Sequence, residues 1–207
     1  MNNLHVIDHP LVKRDVSLLR AKSTTSEDFR IVLRRLTSIM VYEVTKDIRL
    51  DSHIVETPLE KTDGFTLADE VILVPVLRAG LGMLEAYLGL LPNAKVGHVG
   101  VYRDEATLKP VDYYAKFPPN LSQSVVILID PMLATGGSAS AAISYLEERD
   151  AKNIRLNCVV AAPEGVALLE KEHPKVRIYA AVLDRALNKS GYIVPGLGDA
   201  GDRIYGT

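Results

Sequence analysis

The chain contains no tryptophan, three phenylalanines and one cysteine in 207 residues. The lone Cys158 lies in the largely apolar stretch from Ile154 to Ala162. It excludes a disulfide within the chain and reads as a buried structural thiol. An excess of either charge is missing as well. Against 24 lysines and arginines stand 26 aspartates and glutamates, a formal net charge of −2. That balance leaves no electrostatic footprint for non-specific binding to nucleic acid. The five histidines (His5, His9, His53, His98 and His173) fall at no metal-ligand spacing, which argues against protein-ligated zinc. No apolar run approaches the length of a membrane helix, and no apolar core flanked by basic residues opens the chain. The expectation is a cytoplasmic protein with neither a membrane nor a nucleic acid as partner.

What is present is an ordinary globular balance, 47% hydrophobic and 24% charged, enough for one α/β domain with an appended element. No internal repeat, low-complexity tract or linker divides it. A weak helical pattern runs through Leu11, Val12, Leu18 and Leu19. Thr25 or Ser26 can cap a helix that carries Glu27 and Asp28 in its first turn. Its apolar positions are Phe29, Val32, Leu33, Leu36, Ile39 and Met40. The interleaved Arg30, Arg34 and Arg35 read as a solvated face in preference to an anion site. His53 to Leu59 alternates as a short strand, and Lys61 to Asp69 reads as a polar connection through Gly64.

Val71 to Leu77 is a run suited to a buried strand, followed by Arg78-Ala79-Gly80 and a helix to about Leu91. A cation at a strand's carboxyl end, followed by two small residues, can reach a polyanion while the backbone closes in behind it. Val96 to Tyr102 is the next strand, ending at Arg103-Asp104. The charged, proline-punctuated excursion from Glu105 to Pro119 is long for a structureless loop, and reads as a lid or arm with Val111, Tyr113 and Tyr114 as its strand. Ile154–Ala162 and Val176–Val182 are strands, and Pro163–Glu172 is a helix with proline at its start. Alternating strands and helices argue a parallel sheet covered on both faces.

The densest chemistry lies between Val125 and Ser138. Five apolar residues, Val125 to Ile129, end in Asp130; Pro131, Met132, Leu133, Ala134, Thr135, Gly136, Gly137 and Ser138 follow. An unbroken apolar run suits a parallel strand buried on both faces. Asp130 then sits at its carboxyl end, where open α/β sheets place ligands. The glycines admit close backbone approach, and the helix opening near Ser138 offers free N–H groups to an anion. The same string also fits a strand–turn–helix corner packed tightly by its glycines. It is neither a Walker P-loop, since no Gly-Lys-Ser/Thr follows, nor the G-x-G-x-x-G fingerprint. The tail Tyr192 to Asp202 is dense in glycine. By composition it is a surface loop or frayed terminus; functionally it reads as a backbone-lined slot for a flat polar ligand.

Asp130 to Ser138, DPMLATGGS, resembles the phosphoribosyl pyrophosphate (PRPP) motif of the uracil phosphoribosyltransferases, a branch of the type I phosphoribosyltransferases. Ile129 stands where type I relatives tend to carry the first of two acids. That departure matches the uracil branch and argues against orotate or hypoxanthine–guanine relatives. Three further blocks carry the resemblance: VPVLRAGLGM (74–83), GHVGVYRD (97–104) and GYIVPGLGDAGDRIYGT (191–207). It implies an α/β fold of the type I phosphoribosyltransferase kind, with a central, mainly parallel sheet flanked by helices, a small hood and a β-arm. Residues 1–207 would form a single domain, the N-terminal helices and 184–207 contributing to the hood and uracil site.

The resemblance also implies conversion of uracil and PRPP to UMP and pyrophosphate in pyrimidine salvage. Carried over by position, Arg78, Ala79, Gly80 and Arg103 would hold the pyrophosphate, and Asp130 the ribose hydroxyls. Pro131, Met132 and Leu133 belong to the same PRPP-binding stretch, and Ala134 to Ser138, with Thr135, Gly136 and Gly137 between, would cradle the 5′-phosphate. Ile193, Gly198, Asp199 and Ala200 would line the uracil slot, with Asp199 also facing PRPP through Mg²⁺. Arg78, Arg103, Asp130 and Asp199 are the catalytic candidates. Homo-oligomers, dimeric or larger, and activation by GTP are implied too, with Arg30, Arg34 and Arg35 as conceivable contacts. Glu105 and Ala106 replace a Pro-Glu pair of the family, which bears on arm closure. The alternative is a PRPP-binding pyrimidine regulatory protein, although such relatives carry paired acids where this chain has Ile129-Asp130.

Overall fold

The computed structural model describes residues 3–103 and 110–207, with the backbone alone for 101–103 and 110–113. The helices are α1 (Pro10–Arg20), α2 (Ser26–Thr45), α3 (Leu81–Leu90), α4 (Gly137–Glu147), α5 (Pro163–Glu172) and α6 (Ala200–Tyr205). The strands are β1 (Leu4–Val6), β2 (Leu50–Glu56), β3 (Lys61–Leu67), β4 (Val71–Leu77), β5 (Lys95–Val96), β6 (His98–Arg103) and β7 (Pro110–Lys116). They continue with β8 (Val125–Ile129), β9 (Met132–Leu133), β10 (Asn153–Ala161), β11 (Arg177–Leu183), β12 (Ala186–Leu187) and β13 (Ile193–Val194).

The main sheet runs β1-β11-β10-β8-β4-β6-β7, with β5 beside β4 and β9 beside β10. Its pairs are parallel except β6–β7 at the edge. This is the expected α/β sheet flanked by helices. Period-two alternation sends successive β8 residues to opposite faces. Val125, Ile127 and Ile129 pack with α1, α2 and α3, whereas Val126 and Leu128 pack with α4 and α5. Both faces are therefore dry, and the strand's carboxyl end is the place left for polar chemistry.

The helix reading holds at α2, where the Thr25 side chain accepts the Asp28 N–H, and at α5, whose proline opens the helix. Three expectations need correction. Lys61–Asp69 is not a polar connection, because Lys61–Leu67 pairs antiparallel with Leu50–Glu56. Nearly every residue of that hairpin is exposed, so no buried face imprints a pattern on its sequence. Val96–Tyr102 is divided at Gly97 into β5 and β6. The strand expected at His53–Leu59 runs instead from Leu50 to Glu56, with 57–60 leading round to β3; Leu4–Val6, ahead of the helical pattern, extends the sheet beside β11.

The arginines of α2 have partners within the chain. Arg35 and Arg14 bond to the fully buried Asp15, Arg30 donates to the Ile204 carbonyl at 2.8 Å, and Arg34 lies 3.9 Å from Glu85. Burial pushes the Asp15 carboxyl up, and the bonds from Arg35 and Arg14 outweigh it, holding the group below the usual carboxylate range. Cys158 is buried and its thiol is pushed up by desolvation, as expected for an inert structural cysteine.

Candidate active site

The carboxyl ends of β4 and β8 open into a cavity of about 470 Å³. The β8 side follows from local sequence. Asp130 leaves the strand, and its side chain turns back to accept the Met132 N–H at 3.2 Å. Ala134 to Gly136 then make the turn into α4. Gly136 takes φ +85°, and a Cβ there would lie 3.0 Å from the Gly165 carbonyl oxygen of α5. That left-handed, crowded corner requires glycine. No side chain caps α4, so its first turn presents backbone donors and the positive dipole end beside Asp130.

Asp130 is the most perturbed carboxyl on the cavity. Burial pushes it from 3.8 up to about 7; the Met132 N–H opposes this and the charge of Asp199 adds to it. A carboxyl so placed gains most from a ligand that donates hydrogen bonds to it, as vicinal hydroxyls do.

The β4 side carries Arg78, joined to Leu77 by a cis peptide bond. Its side chain is 59% exposed, with the nearest Asp202 oxygen 3.9 Å away and the guanidinium 5.6 Å from the Tyr205 ring centre. Those contacts leave the planar fork accessible to an anion. The Tyr205 hydroxyl donates to the Arg78 carbonyl at 3.0 Å, tying this loop to the tail.

The third wall is the tail. Ile193, Gly198, Asp199 and Ala200 line it, as do Tyr192, the first residue of the expected slot segment, and Ser190 and Gly191 just ahead of that segment. Val194–Pro195 is cis. Asp199 caps α6, its Oδ1 accepting the Asp202 N–H at 3.0 Å.

Of the residues expected here, Arg78, Ala79, Asp130, Met132, Ala134, Ser138, Ile193, Gly198, Asp199 and Ala200 meet on one cavity. Pro131 and Leu133 are buried and do not line the cavity, and Leu133 packs in the core beneath α4 and α5. Gly80, Thr135, Gly136 and Gly137 do not line the cavity. Gly80 serves packing, because a Cβ on it would lie 2.3 Å from the Ile129 carbonyl oxygen. The Arg103 side chain, and residues 104–109 with Glu105 and Ala106, lie outside the described ones.

The family model for uracil phosphoribosyltransferase matches residues 6–207. The chain belongs to the uracil phosphoribosyltransferase family. A uracil phosphoribosyltransferase of Finegoldia magna is 53% identical and one of Bacillus thuringiensis 51%, each over 208 residues that cover all of both chains. Among solved structures, the AQ2163 protein from Aquifex aeolicus superposes with a TM-score of 0.92 at 39% identity, covering 98% of this chain and 97% of that one. An adenine phosphoribosyltransferase of Trypanosoma brucei, 14% identical, shares the fold with a TM-score of 0.61 over 92% of this chain and 88% of its own. The family is one of enzymes. Among the described residues, no helix is long and apolar enough to cross a membrane.

Proposed function

We propose that this member transfers the phosphoribosyl group of PRPP to N1 of uracil, giving UMP and pyrophosphate. The observation that carries the assignment of residues is the meeting of three chemistries on one cavity. An uncapped helix start beside a carboxyl, an exposed arginine and a glycine-rich backbone wall face one another. The α4 start takes the 5′-phosphate. Asp130 accepts the ribose hydroxyls and fixes C1 of the sugar between its two partners. Arg78 stabilises the charge that gathers on pyrophosphate as the C1–O bond breaks and that electron pair leaves with it. N1 of uracil then bonds to C1 as its N1–H bond breaks, the proton passing to water or to the released pyrophosphate. Arg103 is assigned beside Arg78 on the family motif.

The donors present suit a magnesium ion carried by the substrate. Among the described residues no group of three or more His, Cys, Asp or Glu could cage a metal. Mg²⁺ commonly binds through one or two carboxylates together with phosphates, and Asp199, exposed at the cavity, would hold it, directly or through water. When bound, the ion supplies further neutralisation of the pyrophosphate.

Residues 1–207 are read as one working unit, with the N-terminal helices and 184–207 closing over the base. Homo-oligomers and activation by GTP complete the proposal. The exposed β2–β3 hairpin supports the first, because a lone two-stranded hairpin is marginal in water and a second copy would cover it. Sedimentation with and without GTP tests both: a dimer or larger species with GTP-raised activity is expected, whereas a monomer with unchanged rates contradicts them. The reaction itself is tested with PRPP, Mg²⁺ and radiolabelled uracil. UMP and pyrophosphate in equal amounts, abolished by EDTA, are expected. PRPP binding without turnover would point instead to a regulatory protein.

A further inference from the structure

We propose that Arg20, Asp184 and Arg203 are positioning residues that set which base the slot accepts, by fixing the direction of the peptide groups from Pro195 to Gly198. This rests on the uracil reading above. Asp184 is 6% exposed and hydrogen-bonded through its own N–H to the Ala161 carbonyl of β10 at 2.8 Å. Its Oδ2 accepts the Gly196 N–H at 2.8 Å. Arg20, the last residue of α1, grips both Asp184 oxygens and donates to the Gly196 carbonyl at 3.0 Å. Arg203 donates to the next carbonyl, Leu197, at 2.9 Å. Gly196 sits at φ +60°, and a Cβ there would lie 2.2 Å from the Ile193 carbonyl oxygen, so the loop is folded tightly onto the slot residue Ile193.

In a planar trans peptide the C=O and N–H point in opposite directions. With the Leu197 carbonyl held by Arg203, the Gly198 N–H points away from the guanidinium; with the Gly196 carbonyl held by Arg20, the Leu197 N–H does likewise. Gly198 itself lines the cavity. An arginine has donors only, so a flipped peptide would turn N–H toward cation and lose its bond. A flip would also exchange donor for acceptor on the slot side. Uracil and cytosine differ by that exchange, since position 4 is an acceptor oxygen in one and a donor amine in the other. The clamp thereby enforces the choice of base without touching it.

The test compares Arg20→Ala, Arg20→Lys and Asp184→Asn with the parent, measuring kcat/KM for uracil and cytosine and KM for PRPP. For Arg20→Ala the expected result is a uracil KM raised about tenfold and a uracil-to-cytosine preference reduced by about tenfold or more. KM for PRPP should stay within about twofold, since the cradle wall is made elsewhere. Arg20→Lys restores part of the preference by keeping a charged donor. Arg203→Ala loosens more than the slot, because Arg203 also holds the Leu19 and Ala21 carbonyls; the Arg20 and Asp184 variants keep the proposal testable if it fails to fold. Folded variants that retain the full preference, or that lose both bases and PRPP equally, overturn the proposal. A parent protein that turns over no base sinks the reading beneath it, and this proposal with it.

Discussion

The two principal walls of the cavity are built in opposite ways. The cradle wall, 125–138, is one continuous strand–turn–helix, shaped by its own alternation, by Gly136 at φ +85° and by the start of α4. The slot wall, 184–205, holds only the short β12 and β13 and the six-residue α6. Its shape is imposed from a distance: Arg20 reaches Asp184 and Gly196 across 164 and 176 positions of sequence. A charged hydrogen bond of this kind contributes roughly 1.5–3 kcal/mol. The difference separates two tasks. On the proposed reading, the phosphate meets geometry that many sequences could make locally, whereas the base meets peptide directions that need external restraint.

The sharpest break in this comparison is expected on the cradle and cation side. Arg78→Ala should lower kcat/KM by roughly 10²–10³, with uracil and cytosine affected alike and little loss of stability, since the side chain is 59% exposed. Steady-state rates for both bases beside a thermal melt check it; a selective effect on one base would move Arg78 to the slot. Next in size is Gly136→Ala, which forces a left-handed residue with a Cβ 3.0 Å from the Gly165 oxygen. A stability loss of about 1–3 kcal/mol, read by urea unfolding, should accompany weakened PRPP binding.

Asp130→Asn gives a pH-dependent effect of opposite sign on stability. Burial, with the charge of Asp199 adding, raises the folded carboxyl from 3.8 to about 7. Between those values the folded protein holds a proton that the unfolded chain has released, so this group costs stability as pH rises through the interval. The melting temperature of Asp130→Asn relative to the parent should therefore increase from about pH 4 to about pH 8 and level off beyond, while PRPP affinity falls. A pH-independent difference would place Asp130 in a solvated setting. The smallest effect is expected at the hairpin: Phe65, 63% exposed, should change chain stability by under about 0.5 kcal/mol as Phe65→Ser, yet weaken self-association in sedimentation.

What the sequence made legible follows the same division. The strands Val71–Leu77 and Val125–Ile129 were readable because burial on both faces leaves an unbroken apolar run, and the helix Pro163–Glu172 because proline marks its start. The strand–turn–helix of 125–138 was readable because its parts are consecutive. The hairpin strand Lys61–Leu67 was not, since it buries neither face, nor was Leu4–Val6, three residues too short to show a period. The composition of the tail left a frayed terminus and a slot equally open. Nothing near it announces that Arg20 and Asp184 fasten it, because that partnership exists only in the folded chain. Leu133 belongs to the motif by adjacency, yet its side chain serves the core.

The central claim is that a backbone wall, held in one direction, chooses the base. The most direct measurement is product formation from PRPP and Mg²⁺ with uracil, cytosine, hypoxanthine and orotate offered separately to the purified protein. The account predicts UMP and pyrophosphate from uracil and strong rejection of the other three. Cytosine turned over as readily as uracil would contradict it.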